Sequence, residues 1–329
     1  INMLNHFSIP KDSFNGPILI TGAGGCIGAW TTAMLLKANI EVIAFDLTSN
    51  KRRPELLISN EKLSKVPWVE GDISNTETVI STIEKYKPES IIHLAALQVP
   101  FCAADPTTGA KVNVVGTVNI MEAARQNSIK RISHASSMAA HSFIPGSDSL
   151  KTLYGAYKMC DEQISEVYWQ DHKVPSVCLR PAIVNGVGRD QGMTSKQTVA
   201  MLAAALGEPY DIPYTGYVSH LSAAEVASAF IHSVSYEGDG AFVFDIFGES
   251  ININDTIKMI NEIKPNANIT SSGSEMPFPS KLSDIPLRKH LKKRVSDYGS
   301  INTMTMISET IEAFEVLIQS GKIDKSYLK

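Results

Sequence analysis

Two tyrosines and a lysine lie close together in the segment LYGAYK, residues 153–158. In a helix, residues four apart lie about 40° from each other around the axis, whereas neighbours lie about 100° apart. Lys158 therefore shares a helix face with Tyr154 and not with Tyr157. A nearby ammonium stabilises a phenolate and lowers a tyrosine pKa from its usual value near ~10. Such a tyrosine can exchange a proton with an alcohol or ketone near neutral pH, as hydride transfer to a nicotinamide requires. The alternative is an incidental pair on a helix surface.

A pair of serines ends a predicted strand in IKRISHASS, residues 129–137. The carboxyl end of this strand should face the same cleft as the start of the Tyr154 helix. There, Ser136 or Ser137 can donate a hydrogen bond to a substrate oxygen and orient it toward the tyrosine. The alternative is ordinary turn chemistry, in which a serine side chain bonds to nearby backbone.

A glycine-rich loop, TGAGGCIG at 21–28, follows a predicted strand at 17–21 and precedes a predicted helix. Gly22, Gly25 and Gly28 let the backbone turn tightly and approach a pyrophosphate closely. The N–H groups at the start of the helix then point at the phosphates. A glycine triplet between a strand and a helix therefore predicts a dinucleotide site, the alternative being a tight turn alone.

Asp46 ends the second predicted strand, in the segment EVIAFD at 41–46. A carboxylate about 20 residues beyond the glycine loop accepts hydrogen bonds from a ribose 2′-hydroxyl and repels a 2′-phosphate. This favours NAD over NADP. Arg52 and Arg53 follow shortly afterwards and leave NADP open as the less favoured cofactor.

Short apolar runs alternate with longer helical patterns through the first 181 residues. Such alternation predicts an α/β fold of the Rossmann type, in which a doubly wound parallel sheet has helices on both faces. Asp105 and Pro106 mark the start of a long helix as its N-cap and first residue. The predicted strands lie at 17–21, 41–46, within 66–72, and at 90–96, 129–137 and 175–181, and the main helices near 75–86 and at 105–127 and 154–172.

The pattern changes after Pro181 and predicts a smaller C-terminal lobe. We expect a dinucleotide-binding domain over 1–181, to which residues 218–247 return, and a substrate-binding lobe formed by 182–217 and 248–329. Ligands of doubly wound sheets bind beyond the carboxyl ends of the strands, so the cleft between the two parts is the expected site.

Composition excludes several classes of partner. The formal net charge of −4 gives no broad basic surface for nucleic acid or an anionic membrane. The sequence has no apolar run of about 18 residues and no signal-like start, so we expect neither a membrane span nor secretion. The 4 cysteines are scattered without metal-ligand spacing, which predicts no metal site and a reducing cytoplasmic location.

Taken together, the motifs resemble the extended short-chain dehydrogenases/reductases, the NAD-dependent epimerase/dehydratase family. The resemblance covers nearly the whole chain, with the motifs in the family's order. They are TGAGGCIG (21–28), Asp46, GDI (71–73), HLAA (93–96), NVVGTVNIMEAA (113–124), SS (136–137), YGAYK (154–158) and LRPAIVNG (179–186).

The resemblance implies a role for each matching position. Tyr154 would be the acid/base, Lys158 would hold the nicotinamide ribose and depress the tyrosine pKa, and Ser137 would assist at the substrate oxygen. Family members are often homodimers, which implies an interface through the helices at 105–127 and 154–172. The implied cofactor contacts are Gly22, Gly25, Cys26, Ile27 and Gly28 at the pyrophosphate, Asp46 at the adenosine ribose, Asp72 and Ile73 at the adenine, and Leu94, Ala95, Ala96 and Pro181 along the cofactor.

One segment departs from the family pattern. Where the family often has Val-Tyr-Gly after the serine, this chain has MAAHS at 138–142, with His141 in place of the tyrosine. His141 is therefore a tentative substrate residue, with an uninvolved histidine as the alternative. Arg189, in the loop at 188–198, is a second tentative substrate residue. The dehydratases commonly carry an acidic pair where Met138 and Ala139 stand here, so elimination is disfavoured.

Three functions remain open. The favoured one is an NAD-dependent dehydrogenase acting on a hydroxyl of a sugar, sugar acid or similar polyol. The loop at 188–198 is polar and rich in small side chains, which suits a compact hydroxylated substrate. The alternative is a sugar 4-epimerase, which keeps NAD bound. A nucleotide sugar would need cations for its diphosphate, for which Arg189, Arg288 and Arg294 are the candidates. A non-catalytic dinucleotide-binding regulator is a minor alternative, disfavoured by the intact Tyr154, Lys158 and Ser137.

Overall fold

The computed structural model describes residues 1–328, which are built around a sheet of seven parallel strands. All four residues of the first strand are buried, as expected for a parallel sheet that is covered on both faces. The strands are β1 (Ile18–Thr21), β2 (Val42–Asp46), β3 (Trp68–Glu70), β4 (Ser90–His93), β5 (Ile132–Ala135), β6 (Ser176–Pro181), β7 (Val184–Asn185), β8 (Tyr210–Ile212), β9 (Tyr217–Ser222), β10 (Ala241–Ile246), β11 (Glu249–Asn252) and β12 (Ile269–Ser271).

The order of strands across the large sheet is β3-β2-β1-β4-β5-β6-β10. All six neighbouring pairs are parallel. Chain order reverses between β1 and β4, and a crevice opens at such a switch point. Thr21 and His93 are partners in the register there, so the glycine loop lies beside the segment that follows β4. This architecture confirms the predicted Rossmann-type α/β fold.

Helices cover both faces of the sheet. The predicted helix at 105–127 is interrupted by a wider π-helical turn at Lys111–Val115. Within that turn Asn113 accepts a hydrogen bond from Leu97 N–H at 2.7 Å and donates one to Leu97 O at 2.9 Å. The helices are α1 (Cys26–Lys37), α2 (Pro54–Leu57), α3 (Asn60–Leu63), α4 (Thr76–Tyr86), α5 (Val99–Ala104), α6 (Pro106–Ala110), α7 (Gly116–Gln126), α8 (Leu153–His172), α9 (Lys196–Leu206), α10 (Ala223–Ser233), α11 (Ile253–Ile263), α12 (Ile285–Arg294) and α13 (Thr303–Gln319).

The part of the chain after Pro181 forms two small sheets as well as the last strand of the large one. One small sheet has the order β11-β9-β7 and the other pairs β12 with β8. Every residue of α10 is buried, and the following β10 lies along β6. The division into domains at the predicted boundaries remains a prediction. Among the described helices, none has the length and apolarity needed to cross a membrane.

A buried ion pair joins α8 to the ends of two strands. Glu162 is 2% exposed and accepts hydrogen bonds from Arg180 Nε at 2.7 Å and Arg180 Nη2 at 2.6 Å. The same carboxylate accepts a bond from Ser136 Oγ at 2.5 Å. These contacts fix α8 against the carboxyl ends of β5 and β6, where the predicted site residues lie.

We predict that Glu162→Ala lowers the free energy of unfolding by about 3 kcal/mol, because it leaves the Arg180 guanidinium without its main counter-charge. Urea denaturation measures the change. Glu166→Ala, on an exposed position of the same helix, is the matched control and should have little effect. Equal effects of the two substitutions would contradict a stabilising role for the ion pair.

Candidate active site

A cavity of about 520 Å³ lies beyond the carboxyl ends of β1, β2, β4, β5 and β6. This volume is in the range of small-ligand and cofactor sites. The structure brings most of the predicted site residues into its lining. They are Gly22, Gly25, Cys26, Ile27, Gly28, Asp46, Asp72, Ile73, Leu94, Ala95, Ala96, Ser136, Ser137, Tyr154, Lys158, Pro181 and Arg189.

The glycine loop packs backbone against backbone, which fits a dinucleotide. A Cβ at Gly28 would lie 2.2 Å from Gly22 O, and one at Gly22, where φ is +72°, would lie 2.8 Å from Ala95 N. The loop can therefore reach the end of β4 only without side chains. Helix α1 begins at Cys26 with no side chain capping its first N–H groups, so they can bind a phosphate.

Asp46 is the last residue of β2 and lines the cavity. Its Oδ2 accepts a hydrogen bond from Gly24 N–H at 2.7 Å, and its Oδ1 accepts one from Leu47 N–H at 2.8 Å. Burial raises the pKa of this carboxyl above its usual value, although both N–H donors lower it. Each carboxylate oxygen has a further lone pair, so the group can also accept bonds from ribose hydroxyls.

Tyr154 and Lys158 lie side by side on the first turns of α8. Lys158 Nζ is 5.9 Å from the centre of the Tyr154 ring and donates to Ala135 O at 2.7 Å. Tyr157 points away from the lysine and donates to Pro106 O at 2.9 Å. The structure thus places the ammonium beside the first tyrosine, as the helical spacing predicts.

Lys158 is 2% exposed and has a buried counter-charge. Its Nζ lies 3.4 Å from Asp161 Oδ2. Burial would lower the pKa of Lys158, but the charges of Asp161 and Tyr154 outweigh it and raise that pKa above the usual value. The ammonium is therefore retained inside the protein at neutral pH.

The two serines have different surroundings. Ser136 is buried and its hydroxyl donates to Glu162, so it is part of the packing between α8 and the sheet. Ser137 Oγ accepts a hydrogen bond from Ala139 N–H at 3.2 Å. Its proton can therefore be donated to a substrate oxygen in the cavity.

The structure does not bring the predicted site residue His141 into the cavity lining, and the candidate cations Arg288 and Arg294 lie outside it as well. His141 Nε2 lies 2.6 Å from Asp245 Oδ1 on β10, so the imidazole is held by the edge strand of the sheet. Arg189 does line the cavity, where its Nη2 donates to Thr194 Oγ1 at 2.9 Å. Its Nε is buried and has no partner among the described residues.

Several residues of the site were missed from the sequence. Asp161 lies three positions after Lys158, so the same helical spacing that pairs Tyr154 with the lysine could have identified it. Gln98 and Phe278 also line the cavity. Gln98 follows directly on the HLAAL segment, whereas Phe278 lies in a stretch rich in proline and serine and carries no local signal.

With the site described, the chain can be compared with known proteins. Residues 18–240 match the model of the NAD dependent epimerase/dehydratase family. The chain belongs to this family, which confirms the resemblance and, as the family's description states, NAD as the cofactor.

Individual relatives are more distant. The chain is 33% identical to a UDP-glucose 4-epimerase of Mycolicibacterium smegmatis over 181 residues, which are 52% of this chain and 57% of the relative. It is 36% identical to a CDP-paratose 2-epimerase of Salmonella typhi over 33% of this chain and 32% of the relative. The chain thus spans about half or less of these relatives' length.

Solved structures share the fold at low sequence identity. A UDP-glucose 4-epimerase of Thermotoga maritima, solved with UDP-glucose, matches with a TM-score of 0.77 and 21% identity over 92% of this chain and 99% of the other. A partial consensus L-threonine 3-dehydrogenase matches with a TM-score of 0.76 and 20% identity over 91% and 99%. The same fold therefore occurs in an epimerase and in a dehydrogenase.

The buried Asp161 generates a pH-dependent prediction. Burial raises its pKa to about 6, although Lys158 lowers it. Between pH ~4 and ~6 the folded protein keeps the Asp161 proton that the unfolded chain has released, so the contribution of Asp161 to the free energy of unfolding falls as pH rises. Buried histidines and Glu225 titrate as well, so the quantity to compare is the difference in unfolding free energy between the wild type and Asp161→Asn, which should fall as pH rises through this range in chemical denaturation at several pH values.

The matched control is Asp171→Asn, an exposed position on the same helix. It should follow the wild-type pH dependence. If Asp161→Asn also follows the wild type, burial does not raise the pKa of this carboxyl.

Proposed function

We propose that this protein is an NAD-dependent oxidoreductase that acts on a hydroxyl carbon of a sugar, sugar acid or similar polyol, with Tyr154 as acid/base. The observation that carries the proposal is the Tyr154–Lys158 pair, which faces the same cavity as the glycine loop and Asp46. When bound, NAD supplies the hydride acceptor at the nicotinamide ring.

Each residue of this group has a distinct part in the reaction. Tyr154 takes the proton from the substrate hydroxyl, and the adjacent Lys158 ammonium stabilises the phenolate that does so. Ser137 donates a hydrogen bond to the substrate oxygen and orients it toward Tyr154. Met138 and Ala139 line the cavity beside Ser137 and have no acid or base group, which disfavours elimination.

The alternative is an NAD-dependent sugar 4-epimerase that keeps its cofactor, which the similarity to UDP-glucose 4-epimerases favours. A nucleotide diphosphate needs cations in the substrate region. Arg288 is engaged by Glu225, Asp284 and Asp297, and Arg294 by Asp239. Neither arginine lines the cavity, and Arg189 does. Of the three candidate arginines, only Arg189 is therefore placed to bind a diphosphate. This supports a compact hydroxylated substrate and hence the dehydrogenase.

The non-catalytic regulator remains the minor alternative, because a regulator has no use for a buried lysine beside a tyrosine in the cavity.

We also propose a homodimer through α6, α7 and α8, since Val115 and Val167 in this region are 41% and 50% exposed. All four cysteines are free thiols, in keeping with the proposed reducing cytoplasmic location.

The deciding experiment incubates the purified protein with NAD and a panel of sugars, sugar acids and nucleotide sugars, and records absorbance of NADH together with product analysis. We expect net NADH with a sugar, sugar acid or polyol. An isomerised sugar without net NADH would overturn the dehydrogenase in favour of the epimerase, and no change in any substrate would favour the regulator.

We predict that Tyr154→Phe lowers kcat by at least about 100-fold, since it removes the proton acceptor, and leaves NAD affinity largely unchanged. Steady-state kinetics and calorimetric titration with NAD measure the two quantities. Tyr157→Phe is the matched control and should have a mild effect, because its hydroxyl only donates to the backbone of Pro106. A near wild-type rate for Tyr154→Phe would exclude the proposed mechanism.

A further inference from the structure

Two arginines that follow β2 converge on one carboxylate, that of Asp190 in the loop after β7. Asp190 Oδ1 accepts bonds from Arg53 Nε at 2.9 Å and Nη2 at 2.7 Å, and its Oδ2 accepts one from Arg52 Nη2. The Arg53 side chain is 19% exposed and that of Asp190 is 17% exposed. In this arrangement, which we call the Asp190 clamp, both oxygens of the carboxylate accept hydrogen bonds from an arginine.

The clamp lies next to Asp46, where the adenosine ribose is expected. Arg53 Nη1 also donates to Gly24 O at 3.3 Å, and Gly24 N–H donates to Asp46 Oδ2. Arg52, Arg53 and Asp46 all line the cavity. Arg53 therefore shares a contact residue, Gly24, with the carboxylate that favours a ribose hydroxyl over a 2′-phosphate, and Arg52 lines the same cavity.

The segment that carries Asp190 is held in place independently of the clamp. Val187 O accepts a hydrogen bond from Trp30 Nε1 on α1 at 2.9 Å. Trp30 is fully buried, so this contact fixes the segment against the start of the dinucleotide-binding helix. The chain is therefore anchored to α1 three residues before Asp190, by a contact that does not involve the arginines.

We propose that Asp190 determines the choice of coenzyme by withholding Arg52 and Arg53 from the adenosine 2′ position. A 2′-phosphate would carry a charge of about −1.5 to −2 and would need these two cations as partners. In the clamp Asp190 binds both guanidiniums, and the Asp46 carboxylate lies nearby, bonded to the same Gly24 that Arg53 contacts. NADP is therefore rejected by two carboxylates, although two arginines lie close enough to bind it. This inference rests on the proposed dinucleotide-binding function.

The test is calorimetric titration of the full-length protein with NAD and, separately, with NADP. Asp190→Asn should tighten NADP binding about tenfold, the effect of one charge-assisted hydrogen bond, and change NAD affinity by less than about threefold. Asp190→Ala, which removes the hydrogen-bond acceptor as well as the charge, should have the same or a larger effect. Adding Arg53→Gln to Asp190→Asn should return NADP affinity toward the wild-type value, because it removes the released cation.

Asp239→Asn is the matched control, because it breaks an aspartate–arginine pair, with Arg294, whose two residues do not line the cavity. It should leave both affinities unchanged. The inference is overturned if NADP affinity does not rise in either Asp190 variant, or if NAD and NADP affinities fall together. If the wild type binds neither coenzyme, the proposed function itself fails, which is a different result from NAD binding with an unaltered preference.

Discussion

The burial of the Lys158 ammonium is the constraint on which the site depends. A charged amine removed from water must have a counter-charge and hydrogen-bond acceptors nearby. Here Asp161, three residues further along α8, provides the counter-charge, and the Ala135 carbonyl at the end of β5 accepts the hydrogen bond that joins the helix to the sheet. Because the lysine needs that contact, the first turns of α8 cannot move independently of the sheet. Tyr154, one turn before the lysine, is thereby held at the carboxyl ends of the strands.

The fold was predictable because its pattern is local and repeated. Apolar strands alternate with amphipathic helices, and parallel connections leave few topologies to choose from. The position of residues such as Asp46 and Ser137 at the cavity could be predicted for a related reason. They follow directly on strand ends, and the carboxyl ends of parallel strands meet at one edge of the sheet.

Other contacts were not predictable because they join distant parts of the chain. Asp190 lies 137 residues from Arg53, and no sequence period relates the two. The place of His141 after the two serines predicts a residue that contacts the substrate, but its imidazole is held by Asp245, 104 residues further on. Asp161 illustrates a different failure. Its spacing from Lys158 was visible in the sequence, but an acidic residue on a helix is usually solvated, and only the packing of α8 shows that this one is buried.

Cys26, at the start of α1 in the glycine loop, has a consequence for the behaviour of the protein toward oxidants. Thiols react as thiolates, and the start of a helix usually favours that form. Here burial raises the pKa of the Cys26 thiol to about 11, in spite of Arg189 and Arg53. The thiol therefore stays protonated at physiological pH and is a poor nucleophile, although it is only half-buried and lines the cavity. In the single chain the exposed thiol is that of Cys160 on α8, which does not line the cavity, so a homodimer through α8 would decide whether a reagent reaches it.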